Sequence, residues 1–174
     1  MKHRQLFLAL TIVLAGCNLR GADDDPGGTP AADLAATRQS LAPIGEMLLV
    51  RINHDRDVLG LPALTPSQAL DQVAGLRADD MLSRGYVGAT GPGDTSVPAQ
   101  DLMAVAGYTG RLGELTYEHI GPLDSLVDAC IGSWIASDPH RALLLETRYK
   151  YTGVGVIGEG ERWIVALVFA EQGP

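Results

Sequence analysis

Two stretches near the C-terminus constrain the fold most, because both carry the β-branched and aromatic residues that favour strands. Residues 152–157 and 163–169 are separated by Gly-Glu-Gly-Glu, which predicts an antiparallel hairpin. Ahead of the hairpin, apolar residues recur at helical spacing over residues 44–52, 70–82 and 123–134. Helices followed by a terminal hairpin predict an α+β domain in which the helices pack on a small antiparallel sheet.

The N-terminal sequence is typical of an export signal. Lys2 and Arg4 precede an apolar run over residues 6–14, which is shorter than the ~20 residues that span a bilayer and matches a secretory signal. The tetrapeptide Leu-Ala-Gly-Cys that ends at Cys17 resembles the lipobox of bacterial lipoproteins, in which the cysteine becomes the lipidated first residue. We therefore predict a signal peptide over residues 1–16 and lipidation of Cys17. The alternative is a plain secretory signal followed by a chance cysteine.

The predicted anchor also predicts where the protein resides. Two or more acyl chains on Cys17 would hold it stably at a membrane. Asn18 follows the cysteine, and by resemblance to Gram-negative sorting patterns this residue favours the outer membrane. The predicted localisation is therefore the bacterial cell envelope, lipid-anchored and extracytoplasmic, at the outer membrane if the source is Gram-negative.

Composition divides the remainder of the chain into two parts. Residues 18–40 are rich in Gly, Pro, Asp, Ala and Thr and have almost no large apolar residues, so they cannot bury enough surface to fold alone. We predict a flexible tether over residues 17–43 and one domain over residues 44–172. If Cys17 is acylated, Cys130 has no partner, so no disulfide is expected.

The charge of the chain excludes one class of partner. The formal net charge is −8, and it becomes −10 when the two basic residues of the signal peptide are removed. An acidic protein of this kind is repelled by nucleic acid, so no nucleic-acid partner is expected.

Four ordered sequence blocks lie between residues 48 and 169. They are NHDRDVLGLPAL at residues 53–64, the segment over residues 79–92 with DDM, GY and TGP, the Gly-Glu pair at 113–114, and residues 134–156 with W, HRA, Y and GVGV. Together these blocks resemble the CAP superfamily, which groups cysteine-rich secretory proteins, insect venom antigens and plant pathogenesis-related proteins. The resemblance implies an α-β-α sandwich, in agreement with the elements predicted above.

The resemblance also implies a cavity lined by two histidines and one or two glutamates, which often binds a divalent cation such as zinc. This chain departs from that pattern, because Ala89 stands where the first histidine is expected. Of the polar cluster, Glu114 and His140 remain, and two protein ligands are too few for a typical zinc site. His119 is not expected to replace the lost imidazole, because residues 114 and 119 of one strand point to opposite faces. No metal or cofactor is therefore predicted.

Leucines stand at two further positions where relatives carry asparagine, Leu115 and Leu143. If both line the cavity, it is more apolar than in relatives. We predict that Glu114 and His140 are neighbours in this cavity and form a ligand-binding pair, with no catalytic residue.

Three functional hypotheses follow. The first is an envelope-anchored CAP-domain lipoprotein that acts as a non-catalytic binding module for a small amphiphile, a glycan, a peptide or a protein, with the membrane as a partner through Cys17. The alternative is a metal-assisted or acid–base envelope hydrolase that uses Glu114 and His140. The third is a purely structural protein whose cavity is filled by Leu115 and Leu143.

Overall fold

The computed structural model describes the backbone of residues 31–174 and the side chains of residues 41–174. The chain contains five helices and four strands in the described range, and a short 3-10 turn, Leu123–Ser125, precedes the fourth helix. In the described range, no helix is both long enough and apolar enough to cross a membrane. The elements are α1 (Ala31–Val58), β1 (Thr65–Pro66), α2 (Gln68–Arg84), α3 (Pro98–Val105), β2 (Thr109–Ile120), α4 (Leu126–Ala136), α5 (Asp138–Leu144), β3 (Tyr151–Glu159) and β4 (Arg162–Gln172).

Four strands form one sheet in the order β1-β3-β4-β2. The predicted C-terminal hairpin is confirmed, since β3 and β4 pair antiparallel from Tyr151↔Ala170 to Glu159↔Arg162. Strand β2 pairs with the other side of β4 from Thr109↔Gln172 to Ile120↔Arg162, with one irregularity between Thr109 and Leu112. The two-residue strand β1 runs parallel to the first residues of β3.

The sheet lies between two helical layers, so the predicted α+β class and α-β-α sandwich are confirmed. One core joins α1, α4 and α5 to one face of the sheet, with Trp134, Leu167 and Phe169 among its buried members. A second core joins α2 and α3 to the opposite face, with Met81 and Val168 among its members. Successive side chains of each strand therefore point alternately toward the two helical layers. The position of a residue in its strand decides which layer its side chain contacts.

Two glycines of β3 let α2 approach the sheet closely. A Cβ atom on Gly153 would lie 2.1 Å from the carbonyl carbon of Leu70, and one on Gly155 would lie 2.3 Å from that of Ala74. No side chain fits at these distances, so the Gly-Val-Gly-Val segment is required for packing.

The helix α1 begins earlier than the sequence predicts. Residues 17–43 were expected to be a tether, but the helix starts at Ala31, and Leu41 is buried in the core. Residues 31–42 contain several alanines and other good helix formers, so they continue a helix that packing has already nucleated. The predicted signal peptide, Cys17 and the first part of the tether lie outside the described residues.

The motif at residues 53–64 has a structural role. The Asn53 side chain donates to the Leu64 carbonyl at 3.0 Å and accepts from the Leu64 amide at 2.8 Å. Arg56 is fully buried and donates through Nε to the carbonyl of Pro62 at 2.9 Å and through Nη1 to that of Leu144 at 2.7 Å. These bonds tie the end of α1 to the following loop and to α5.

Candidate functional site

Glu114 lies on β2 and faces the α2 layer. Its neighbour across the strand pair is Val168, which belongs to the α2 and α3 core. The Glu114 side chain is only 4% exposed, and its Oε1 accepts a hydrogen bond of 2.8 Å from Nε of Arg77. The sequence predicts that the Glu114 carboxylate is part of a ligand-binding pair. In the structure this carboxylate forms a buried ion pair with Arg77.

Arg77 lies at the centre of this cluster and is 1% exposed. Its Nη1 donates to Asp80 Oδ2 at 3.1 Å and to the Tyr86 hydroxyl at 2.8 Å. Its Nη2 donates to the carbonyl oxygens of Gly88 at 2.9 Å and Ala89 at 3.4 Å. Five donor–acceptor contacts satisfy the planar guanidinium, a geometry that a lysine could not reproduce.

The same network holds the loop that follows α2. Arg84 donates through Nη2 to Asp94 Oδ1 at 2.8 Å and to the Pro92 carbonyl at 2.7 Å. The second oxygen of Asp94 accepts from the Gly91 amide at 2.6 Å, and Asp80 accepts from Arg84 at 3.1 Å. Through these bonds, residues 86–94 are fixed against the last turns of α2.

Burial and charge act against each other at the ion pair. Burial raises the pKa of the Glu114 carboxyl above its ordinary value, and the hydrogen bond and charge of Arg77 only partly oppose that shift. Burial alone would lower the pKa of Arg77, but the bonds to Glu114 and Tyr86 raise it. Within residues 41–174, Glu114 Oε2 is buried and has no protein hydrogen-bond partner.

His140 lies on α5, whereas Glu114 lies on β2. His140 is in the first turn of α5, a helix whose Leu144 packs in the opposite layer, with α1 and α4. Its Nδ1 is buried and has no hydrogen-bond partner. Within residues 41–174, therefore, no hydrogen bond joins His140 to Glu114, and their assignment as ligand-binding residues stays a prediction.

Strand alternation also corrects the expectation for Leu115. This leucine is buried in the core with α1 and α4, on the face of the sheet opposite to Glu114, so it does not fill a cavity beside that carboxylate. Leu143 packs at the border of the same core. His119 points to the same face as Leu115, as expected, and its Nε2 lies 3.1 Å from the Pro122 carbonyl and 3.0 Å from Ser125 Oγ.

The residues present do not fit a zinc ion. Among the described residues, no three His, Cys, Asp or Glu side chains lie together as metal ligands would. At position 89 the backbone carbonyl faces Arg77, and the side chain is a methyl group. A guanidinium next to Glu114 would also repel a cation in this low-dielectric setting.

Arg77 is the residue that sequence reasoning missed, although a signal was present. It falls four residues after Val73 and three after Ala74, within the apolar stripe that predicts the buried face of α2. A charged residue at a buried position of a helix requires a partner, and the only glutamate predicted in the cavity was an obvious candidate.

Comparison with known proteins places these features in a family. The family model of the cysteine-rich secretory protein (CAP) family matches residues 49–169. No curated protein sequence matches the chain significantly.

Several solved bacterial structures share the fold. An outer surface protein of Borrelia burgdorferi superposes with a TM-score of 0.64 at 19% identity, over 73% of this chain and 91% of that one. An extracellular SCP-domain protein of Bacillus anthracis gives 0.65 at 21% identity, over 84% of this chain and 45% of that one. A cysteine-rich secretory protein of Staphylococcus aureus gives 0.57 at 19% identity, over 74% and 38%. This chain thus spans less than half of the latter two, and at these identities the likeness concerns the fold alone.

Proposed function

This chain belongs to the cysteine-rich secretory protein (CAP) family, and we propose that it acts outside the cytoplasm as a non-catalytic binding module. In this proposal a buried arginine–glutamate pair occupies the region that the resemblance assigns to a metal-binding cavity. The extracellular bacterial relatives with the same fold support the extracytoplasmic setting.

The observation that carries the proposal is the 2.8 Å bond between Arg77 Nε and Glu114 Oε1. A general base must reach the proton it abstracts, whereas Glu114 is buried and held by a permanent positive charge. The groups around it, Asp80 and Tyr86, are bonded to Arg77 or to each other. Such an arrangement stabilises the loop after α2 and keeps the Asp80 and Tyr86 side chains in hydrogen bonds.

The anchor is part of the same proposal. Lipidation of Cys17 would attach the domain to the envelope, at the outer membrane in a Gram-negative cell, and would keep it near its partner. The acidic net charge of the chain favours a glycan, an amphiphile, a peptide or a protein over nucleic acid as that partner.

Isothermal titration of the full chain with zinc tests the non-metal part of the proposal. We expect no stoichiometric heat at micromolar zinc, because the ion would have to displace a buried guanidinium. Stoichiometric binding at micromolar concentration or tighter, lost in the His140→Ala variant, would overturn it. An unrelated surface variant, His54→Ala, is the matched control for loss of an exposed imidazole.

One observation favours a second candidate function, an envelope hydrolase. Within the described part of the chain, Glu114 Oε2 and His140 Nδ1 are both buried and have no protein hydrogen-bond partner, and unused polar atoms of this kind are typical of sites where water or substrate binds. This alternative predicts turnover of cell-wall fragments that is lost in Glu114→Gln and in His140→Ala. A turnover that persists in both variants, or that is absent in the wild type, excludes it.

A further inference from the structure

A groove of about 580 Å³ runs along the outer edge of β3, on the opposite side of the sheet's strand order from β2, which carries Glu114. Residues of α1 form one wall and residues of α2 form the other, and these two helices lie on opposite faces of the sheet. Val154, Gly155 and Val156 form its floor. The groove is therefore open at the place where a further strand of the sheet would lie.

The outer edge of β3 is unpaired beyond its first residues. Strand β1 pairs only with Tyr151 and Thr152, and within the described part of the chain no other strand follows it along this edge. The Thr152 carbonyl accepts from the Ser67 amide, and the Val154 amide donates to Asp71 Oδ1 at 2.9 Å, so even-numbered residues direct their backbone groups outward. By alternation, the backbone groups of Val156 face the groove as well.

The groove is shaped to admit a polypeptide backbone. Gly45 and Ala42 on α1 and Gly75 on α2 contribute little side-chain bulk to its walls, and Leu49 and Leu76 add apolar surface. A Cβ atom on Gly75 would meet nothing within 4 Å, so space remains beside it. The volume lies within the ~300–1,000 Å³ typical of ligand sites.

The charged residues that line the groove indicate which kind of ligand it favours. Among residues 41–174, its charged lining residues are Glu46 and Asp71, one on each helix, and no basic residue of that range lines it. Burial raises the pKa of Asp71, and the negative charge of Glu46 adds to that shift, while the bond from Val154 opposes it. The field in the groove therefore attracts a positively charged group.

The helical walls also decide between a single strand and a second copy of this chain. Edge-to-edge pairing of two sheets requires that both edges be open and flat, whereas this edge is recessed between α1 and α2. A single extended segment, with about 3.3 Å per residue, passes between the helices and reaches the outward backbone groups.

We propose that this groove binds an extended peptide segment carrying basic residues, which adds a strand to the sheet along the outer edge of β3. The proposal rests on the binding role proposed above and names the partner of that role, at a site separate from the Arg77–Glu114 pair. Backbone hydrogen bonds to β3 provide affinity, and Glu46 and Asp71 select the basic side chains.

Fluorescence anisotropy of the full chain tests this with a defined probe, a fluorescein-labelled nonapeptide of alternating valine and threonine with two arginines. We expect saturable binding that weakens with added salt. A control peptide of the same sequence with alternate backbone amides N-methylated cannot form the strand pairing, and we expect at least tenfold weaker binding. A peptide with glutamates for arginines should also bind at least tenfold less tightly. Equal binding of the N-methylated peptide overturns the proposal.

Two matched variants locate the site. Gly75→Leu adds a side chain to the groove wall, and Gly132→Leu places the same side chain on α4. Apart from the backbone of its own helix, nothing in the described residues lies within 4 Å of either Cβ position. We expect at least a tenfold loss of probe affinity in the first and none in the second, with both proteins folded by circular dichroism. Equal affinity in both overturns the assignment of the site.

A third possible result of the binding experiment concerns the role of Asp71. Its bond to the Val154 amide could protect the edge against strands instead of selecting a partner. If the wild type fails to bind the probe and Asp71→Ala binds it, the edge is protected and the proposal is wrong. Either result leaves the zinc titration unchanged, so failure here is distinguishable from failure of the non-catalytic function.

Discussion

Arg77 Nε lies 2.8 Å from Glu114 Oε1, and both side chains are almost completely removed from solvent. This ion pair joins α2 to the edge strand β2, and the rest of the guanidinium holds the loop over residues 86–89. The family resemblance predicts metal ligands in this region. In the structure the guanidinium of Arg77 lies at its centre instead.

The first prediction concerns replacement of the arginine. Arg77→Lys retains the charge but cannot reach the five acceptors, and it leaves Glu114 poorly paired. We expect a loss of about 3 kcal/mol in the free energy of unfolding, the scale on which breaking a buried pair costs stability, measured by urea denaturation. Arg162→Lys, at the exposed bond to Glu118, is the control and should cost less than about 1 kcal/mol. Equal losses of unfolding free energy in the two variants would contradict the conclusion that the buried Arg77 pair stabilises the fold.

The second prediction concerns the loop after α2. Arg84→Ala removes the bonds to Asp94 and Pro92, so residues 86–94 should exchange amide hydrogens faster while the core keeps its protection. Hydrogen exchange followed by mass spectrometry measures this difference. Arg51→Ala, which removes an exposed pair with Asp55 on α1, should leave exchange in the loop unchanged. Faster exchange in the core as well would mean that Arg84 supports the whole domain.

The third prediction concerns acid. The hydrogen bond from Arg84 lowers the pKa of Asp94 below its ordinary value of 3.8. A carboxyl with a lowered folded-state pKa contributes stability that is present above that ordinary value and is lost as pH falls through the folded-state pKa. The difference in unfolding free energy between wild type and Asp94→Asn should therefore shrink as pH falls below about 3.8. A difference that is constant from pH 6 to pH 2 would contradict the assignment.

The fourth prediction concerns the close packing of α2 on β3. Gly155→Ala places a Cβ atom 2.3 Å from the Ala74 carbonyl carbon, so helix and strand must separate, and we expect a loss of about 1–3 kcal/mol. Gly132→Ala on α4, where nothing lies within 4 Å, should instead stabilise by about 1 kcal/mol. Thermal unfolding of both variants measures the contrast, and a neutral Gly155→Ala would refute the packing argument.

The fifth prediction concerns the anchor. In a bacterial host, the full chain should incorporate an alkyne-labelled fatty acid and fractionate with membranes, because Cys17 ends a lipobox-like sequence. Cys17→Ser should abolish both the label and the membrane association. Cys130→Ser is the matched control, since that thiol is buried, and label that persists in Cys17→Ser would rule the anchor out.

The sequence predicts the elements and the layers well, for a physical reason. Apolar residues at helical spacing and the β-branched hairpin report burial directly, and β3 and β4 lie where residues 152–169 indicate. The sequence predicts too late a start for α1, because a segment with few large apolar residues can extend a helix that is already packed.

The site was harder to predict because it depends on which face of the sheet each strand position meets. Glu114 and His140 both match polar positions of the CAP motifs. The Glu114 side chain nevertheless faces α2, whereas His140 lies on α5 in the other layer. Only the sheet register reveals that Leu115 points away from Glu114. The groove at β3 depends on the short extent of β1, which no local pattern encodes.

The measurement that tests the central claim most directly is a pair of double-mutant cycles on the free energy of unfolding. One cycle combines Arg77→Met with Glu114→Gln, and the other combines His140→Ala with Glu114→Gln. Contacting residues couple by about 0.5–3 kcal/mol, and we predict coupling at the upper end of that range for the first cycle and none for the second. Strong coupling between His140 and Glu114, with none between Arg77 and Glu114, would contradict the account.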